Sequence, residues 1–254
     1  MADINIVLLL GFALWGAVVG VIVGFTAVGI GLLGVSGLMI IFGLDPLIAV
    51  GSMGIAGFFL MLSGAVQHKK NNNIHIPVAL MTAVTAVPFS YIAASFSEEI
   101  NEIIPLRFIL GGIIILSVVL LFYRYFIMKG DETPFQFSKW KKFTAPVLGI
   151  ILGGLMGVTS ISGSILVVMF LLVLQMPAAM AVGTTSAVSA VSLMVAGIAH
   201  IQGGNIDWQA IAGLMPGALI GAAVGAKFSD RVPVKVLRIG ILVILLAAGI
   251  MIFV

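Results

Sequence analysis

Over 254 residues the chain is 61% hydrophobic and 8% charged, with mean hydropathy +1.29, far above the roughly half-apolar composition of a soluble domain. A formal net charge of +3 is too small to argue for nucleic acid, and the absence of cysteine excludes disulfides, thiolate metal sites and a cysteine nucleophile. These values put the chain in a bilayer. Its apolar stretches are long, little enriched in alternation and interrupted by Gly and Pro as membrane helices tolerate, whereas a barrel would show ~10-residue alternating segments. Met1-Ala-Asp-Ile lacks the basic start of a secretory signal, so the first apolar segment is expected to stay as a span.

Taken in order, apolar segments fall near 4–24, 31–43, 47–67, 76–96 and 105–126, then 144–158, 163–175, 178–199, 208–228 and 234–254. The segments 31–43, 144–158 and 163–175 are short: a 13-residue helix reaches only ~20 Å of the ~30 Å of hydrocarbon. The short segments adjoin two breaks rich in small residues, Gly24-Phe-Thr-Ala-Val-Gly-Ile-Gly31 and Gly153-Gly-Leu-Met-Gly-Val-Thr-Ser-Ile-Ser-Gly-Ser164. Backbone that leaves the helix at membrane depth must find partners in protein, water or ligand, so such breaks line cavities, and paired breaks in two halves point to a transporter site.

The halves repeat. Ala49-Val-Gly-Ser52 answers Ala181-Val-Gly-Thr184, His68 answers His200, Asn73-Ile74 answers Asn205-Ile206, and Phe96-Ser-Glu98 answers Phe228-Ser-Asp230, all at an offset of 132 residues. Pro46 answers Pro177 at 131, and Pro88 and Pro105 answer Pro216 and Pro233 at 128. The expected organisation is a first repeat at 1–127, a cytoplasmic linker at 128–142 and a second repeat at 143–254, together one membrane domain. If each broken pair forms a hairpin followed by three transmembrane helices, the second repeat is inverted and 11 of the 12 basic residues share a side, Arg107 alone lying opposite; parallel halves would split them 7 to 5. The positive-inside rule therefore selects an all-α polytopic membrane protein of two inverted repeats and about ten membrane segments. Both termini and the acidic loop Glu98-Glu-Ile-Asn-Glu102 are expected outside, and the linker inside.

Hairpins in inverted halves enter from opposite faces and can meet at the midplane. Each tip feeds a short helix, beginning near Gly31 and Gly163, whose free N–H groups and positive dipole end suit an anion without a buried Arg or Lys. The candidate binding residues are Thr26, Gly29 and Gly31 at the first tip and Thr159, Ser160, Ser162, Gly163 and Ser164 at the second. Thr184 and Thr185 open the apolar run after Pro177. Small residues also let membrane helices pack closely, and helical hydroxyls can bond back to their own turn, so both readings stand for these positions. His68 and His200 fit either a proton relay or a helix-end cap, and Gln67 and Gln175 either gates or interfacial residues. The glycine-rich face from Gly213 to Gly225 can pack within or between subunits, which leaves a homo-oligomer open.

Neither paired membrane carboxylates, a metal-ligand spacing among His68, His75 and His200, nor a phosphate-binding Gly-Lys-Ser/Thr motif is present in the sequence. The reading is therefore a secondary transporter of small anions, not an enzyme, with no metal or cofactor; a passive anion channel or a non-transporting membrane subunit are its alternatives.

The second break with its short helix and proline, Ala181-Val-Gly-Thr-Thr-Ser186, His200-Ile-Gln-Gly-Gly-Asn-Ile-Asp207 and the stretch Gly213 to Gly225, in that order and duplicated, resemble the TauE/SafE family of sulfite and organosulfonate exporters. The chain departs from the family's usual three-glycine run, spreading the glycines over Gly29-Ile-Gly31-Leu-Leu-Gly34 and substituting serines in Ser160-Ile-Ser-Gly-Ser164. The resemblance implies a carrier in a bacterial or archaeal inner membrane that moves a small sulfur oxyanion or sulfonate outward.

Overall fold

A computed structural model describes residues 5–26, 30–127, 135–161, 163–228 and 234–252. Every regular element among them is a helix: α1 (Ile6–Thr26), α2 (Ile30–Ile40), α3 (Pro46–Lys70), α4 (Ile76–Ser95), α5 (Ser97–Ile103), α6 (Leu106–Phe122, continued by a π turn Tyr123–Ile127), α7 (Lys139–Thr159), α8 (Gly163–Leu172), α9 (Ala178–Gln202), α10 (Trp208–Phe228) and α11 (Val234–Met251). Seven of these, α1, α3, α4, α6, α7, α9 and α10, are long and apolar enough to cross a membrane.

The short helices sit at the centre. With 11 and 10 residues, α2 and α8 reach only about 15–17 Å, and they are apolar on all faces, as a helix enclosed on every side must be. Leu32, Leu33, Val35 and Leu38 of α2, and Ile165, Leu166, Val167, Val168 and Phe170 of α8, are buried. Beside them α3 and α9 run antiparallel: a Cβ on Gly51 would overlap the Asn205 carbonyl beside His200, and one on Gly183 would overlap the Asn73 carbonyl beside His68. The turns that follow α2 and α8 use left-handed backbone at Gly43 (φ +67°) and Gln175 (φ +53°), and those after α3 and α9 use it at Asn72 (φ +56°) and Gly204 (φ +74°).

Two outer pairs, α1 with α10 and α4 with α7, each join a helix from before the linker to one from after it. Glycine makes both pairings possible. Gly213, Gly217, Gly221 and Gly225 lie under the carbonyls of Leu9, Ala13, Ala17 and Val21, with Gly16 and Gly20 of α1 under those of Leu214 and Ala218. Gly149, Gly153 and Gly157 of α7 lie in the same way under the carbonyls of Thr82, Ala86 and Ser90. Lipid is as apolar as a leucine side chain, so membrane helices associate through such close backbone contact, aided by Cα–H···O contacts. The 213–225 face is thus occupied within the chain.

Two boundaries differ from the sequence expectation. α7 begins at Lys139 and has 21 residues, so it is long enough to span where 144–158 read as short. Its basic first turn opposes the helix dipole, but Lys141 is buried with its ammonium 4.6 Å from the Phe135 ring, and Lys142 lies 5.8 Å from that of Phe137; such cation–π contacts stabilise a partly desolvated charge. The stretch read as an acidic loop holds the seven-residue α5, with Glu98 and Glu99 in its first turn, where the dipole favours negative charge.

His75 joins the segment before α7 to the spans. Its ring packs edge-on to Phe135 and Phe137 at centroid distances of 5.0 and 5.1 Å, while Nδ1 accepts the Val78 N–H at 3.2 Å and so caps α4. Burial lowers its pKa below the ordinary 6.5, against an opposing hydrogen bond of its own backbone.

The cap needs neutral imidazole, and a depressed folded pKa means that the stability it contributes is present above pH 6.5 and lost as pH falls through the lower folded value. The melting temperature of wild type should therefore drop more between neutral and mildly acidic pH than that of His75→Asn, whose amide caps without titrating. Gly217→Leu should destabilise by about 1–3 kcal/mol through overpacking and broaden the size-exclusion profile. Gly112, where a Cβ meets nothing within 4 Å, should accept Ala with an unchanged or higher melting temperature.

Candidate functional site

The second break follows from a left-handed residue at the end of α7. Ser160 has φ +53° and ψ +13°, its N–H donates to the Met156 carbonyl at 2.8 Å, and its hydroxyl donates to the Val50 carbonyl of α3 at 2.8 Å. That cross-helix bond helps hold a conformation that a β-carbon disfavours. Thr159 Oγ1 donates to the Leu155 carbonyl at 2.6 Å and accepts the Ile161 N–H at 3.2 Å. Thr159, Ser160 and Ile161 are all buried, and the two described hydroxyls are already committed to protein.

The two breaks abut. Gly31, in the first turn of α2, lies so close to the backbone of Ser160 and Ile161 that a Cβ would overlap the Ser160 carbonyl. Gly54 of α3 approaches the Ser160 hydroxyl from the other side, its added Cβ falling 3.0 Å from Oγ. α2 and α8 therefore both start beside this junction, and neither carries a charged residue. Gly29 and Ser162 lie outside the described residues, and so do the side chains of Thr26 and Ser164; Thr26 is the last residue of α1 and Gly163 the first of α8.

Thr184 and Thr185 sit apart in role. The Thr184 hydroxyl accepts the His75 N–H at 3.0 Å, and Ser52, its counterpart at the offset of 132, accepts the Asp207 N–H at 2.8 Å. Each pins the loop that follows the other long central helix. Thr185 is buried with a hydroxyl that has no partner among the described residues, as are Ser189 and Ser192 on the same face of α9 and Thr82 on α4. Unpaired buried hydroxyls are uncommon. The spacing 185, 189, 192 is visible in the sequence, but only Thr185 of the three is singled out there.

Of the paired histidines, His200 is fully buried and donates from Nε2 to the Gly157 carbonyl at 3.0 Å, the acceptor fixing which nitrogen carries the proton. His68 instead lines a cavity of about 700 Å³ between the C-terminal half of α3, the end of α1 and α10, together with Gln67, Ser63, Lys70 and Ser186. Gln175 is exposed in its left-handed turn and is not among the residues lining this cavity. A second, smaller pocket of about 160 Å³ lies at the other end of α9, lined by Ala94, Ser97, Glu98, Gln202 and neighbours. A contact without warning in the sequence closes beside it, where the Tyr91 O–H donates to Gln202 Oε1 at 2.8 Å. No group of three His, Asp or Glu side chains arranged to hold a metal ion occurs among the described residues.

The architecture can be set beside known proteins. The profile of the family described as "Sulfite exporter TauE/SafE" matches residues 12–252. The "Probable membrane transporter protein YjnA" of Bacillus subtilis (strain 168) is 27% identical over 251 residues, covering 93% of this chain and 96% of that protein. The "Probable membrane transporter protein YdhB" of the same organism is 28% identical over 236 residues, covering 91% and 95%. No solved structure matches the chain. With the buried short helices and the abutting breaks inside the region matched, the chain belongs to the TauE/SafE family.

Proposed function

We propose that the protein is a secondary transporter of small anions, working as an exporter of sulfite or a related sulfur oxyanion or organosulfonate, with the anion bound at the midplane between the two helix breaks. The observation that carries this reading is the junction of Gly31 with Ser160 and Ile161. Two short helices start there, and their free N–H groups and positive dipole ends suit an anion. An anion held this way needs no buried cation, which would be costly in lipid. The family name supplies sulfite; the relatives are named as transporters without a substrate.

Inverted repeats are part of the proposal, and several contacts support them. The pair α1–α10 corresponds to α7–α4 when the halves are exchanged, and the bond of Ser52 to Asp207 corresponds to that of Thr184 to His75. The left-handed turn residues Gly43 and Gln175, and Asn72 and Gly204, fall at the same offset of 132. In this arrangement both termini lie outside and the linker is cytoplasmic, in a bacterial or archaeal inner membrane, and Ser162, Gly163 and Ser164 with Thr26, Gly29 and Gly31 face the anion.

Reconstituted protein should show saturable flux with counterflow, which a passive channel lacks. Ser164→Leu should abolish that flux while leaving insertion and size-exclusion behaviour intact; unchanged flux would remove the site from the break. Among sulfite, thiosulfate, sulfoacetate, taurine and sulfate, the true ligand at a hundredfold excess over Kd should stabilise the protein by about 2.7 kcal/mol, read as a rise in melting temperature that the others do not give.

A further inference from the structure

The halves of this chain have matching sequence landmarks but unequal packing. α4 lies closed against α9: the Ser90 hydroxyl donates to the Ser192 carbonyl at 3.1 Å, Ala94, Ala196 and Ala199 form a buried cluster, and Tyr91 meets Gln202. At the counterpart position α10 stands away from α3, and the cavity of about 700 Å³ opens between them. The correspondence holds residue by residue. Gly64, His68 and Lys70 on the cavity wall answer Ala196, His200 and Gln202 at an offset of 132, and Leu219 and Ala222 answer Tyr91 and Ala94 at 128. What lines a cleft of about 700 Å³ in one half is drawn together in the other, leaving the pocket of about 160 Å³ at its end. His200 shows the same inequality, since its Nε2 donates to the last turn of α7 while His68 lines the cavity; Nδ1 of both is buried with no partner among the described residues.

We infer that the α4–α9 seam, held by Tyr91 with Gln202 and by His200 with the Gly157 carbonyl, is a closed gate on the face that carries Glu98, and that the α3–α10 cleft is its open counterpart on the face that carries Lys69 and Lys70. The inference rests on the repeat relation and transport reading proposed above. The glycine-locked pairs α1–α10 and α4–α7 are suited to move as units, because a close-packed pair shifts between discrete arrangements more readily than it deforms. When α1–α10 closes on α3, the two-fold relation requires α4–α7 to part from α9, breaking the Tyr91 and His200 bonds. Lys70 stands at the open mouth, where a cation draws anions from solution. Tyr91 and Gln202 thereby acquire a role as gating residues.

The native chain has no cysteine, so single substitutions report access directly. With a membrane-impermeant maleimide on the full-length protein in nanodiscs, Ala222→Cys should be modified at least about tenfold faster than Ala94→Cys, as expected for an open against a closed-packed site. Adding Tyr91→Phe and Gln202→Leu removes one interhelical bond and should shift the ratio of modification at Ala94→Cys to that at Ala222→Cys by about fivefold, the population shift that one such bond supports, mostly as a rise at Ala94→Cys with a smaller fall at Ala222→Cys. The second counterpart pair, Ser63→Cys and Val195→Cys, repeats the comparison if Ala94→Cys does not fold. Equal modification within each pair, or an unchanged ratio in the Tyr91/Gln202 variant, would overturn the gate. Substrate flux is measured separately on the same variants: flux with no difference in access removes the gate alone, whereas a full access pattern without anion flux from any donor removes the transport reading.

Discussion

The constraint on which the structure depends is the demand that lipid makes on backbone. An amide or carbonyl left open in hydrocarbon is costly, so a helix that stops partway through must be wrapped by others. Here α2 packs against α3, α1 and α11, and α8 against α9, α6 and α7, and the apolar side chains of both short helices fill the interior. The long helices therefore shield two irregular junctions at least as much as they hold a conventional hydrophobic core together. Ser160 illustrates the local solution: its left-handed turn closes on Met156, and its hydroxyl reaches across to the Val50 carbonyl.

Glycine provides the complementary device. Where hydrophobic burial gives no net drive between helices, close backbone contact does, and the chain places its glycines where a carbonyl of the facing helix comes nearest. Because α1 pairs with α10 and α4 with α7, each outer pair contains one helix from before the linker and one from after it. Such an exchange ties the two halves together more firmly than an interface between separately folded halves would, and it leaves the central helices α3 and α9 as the surfaces against which the pairs pack. The proposed gate is the inequality of those two surfaces.

The hydroxyls divide by environment. Thr184 and Ser52 hold loops, Thr159 and Ser160 shape a helix end, and Thr185, Ser189 and Ser192 of α9 are buried with no partner among the described residues. A bare list of Ser and Thr cannot make that division, because a hydroxyl's role is set by whichever carbonyl or amide lies within about 3 Å of it. The same holds for the histidines: His200 is bonded and buried, its counterpart His68 lines a cavity, and the residue type is identical.

Composition and periodicity were enough to establish a helical membrane protein, because the energy of placing apolar side chains in lipid is a local property of each segment. They also located both breaks and short helices, since Gly-rich runs with hydroxyls weaken helix wherever they occur, and constant offsets such as Ser52 to Thr184 set matching landmarks along the chain. The start of α7 at Lys139 was hidden, because a basic run reads as solvated linker until Phe135 and Phe137 are brought over it by the fold. Which glycine meets which carbonyl, which hydroxyls are spent, and on which side the cleft stands open were decided only by long-range packing. The landmarks recur at matching offsets, so neither stretch's sequence encodes that α3 and α10 border a cleft while α4 and α9 share a buried alanine cluster; that difference belongs to the arrangement of whole helices against each other.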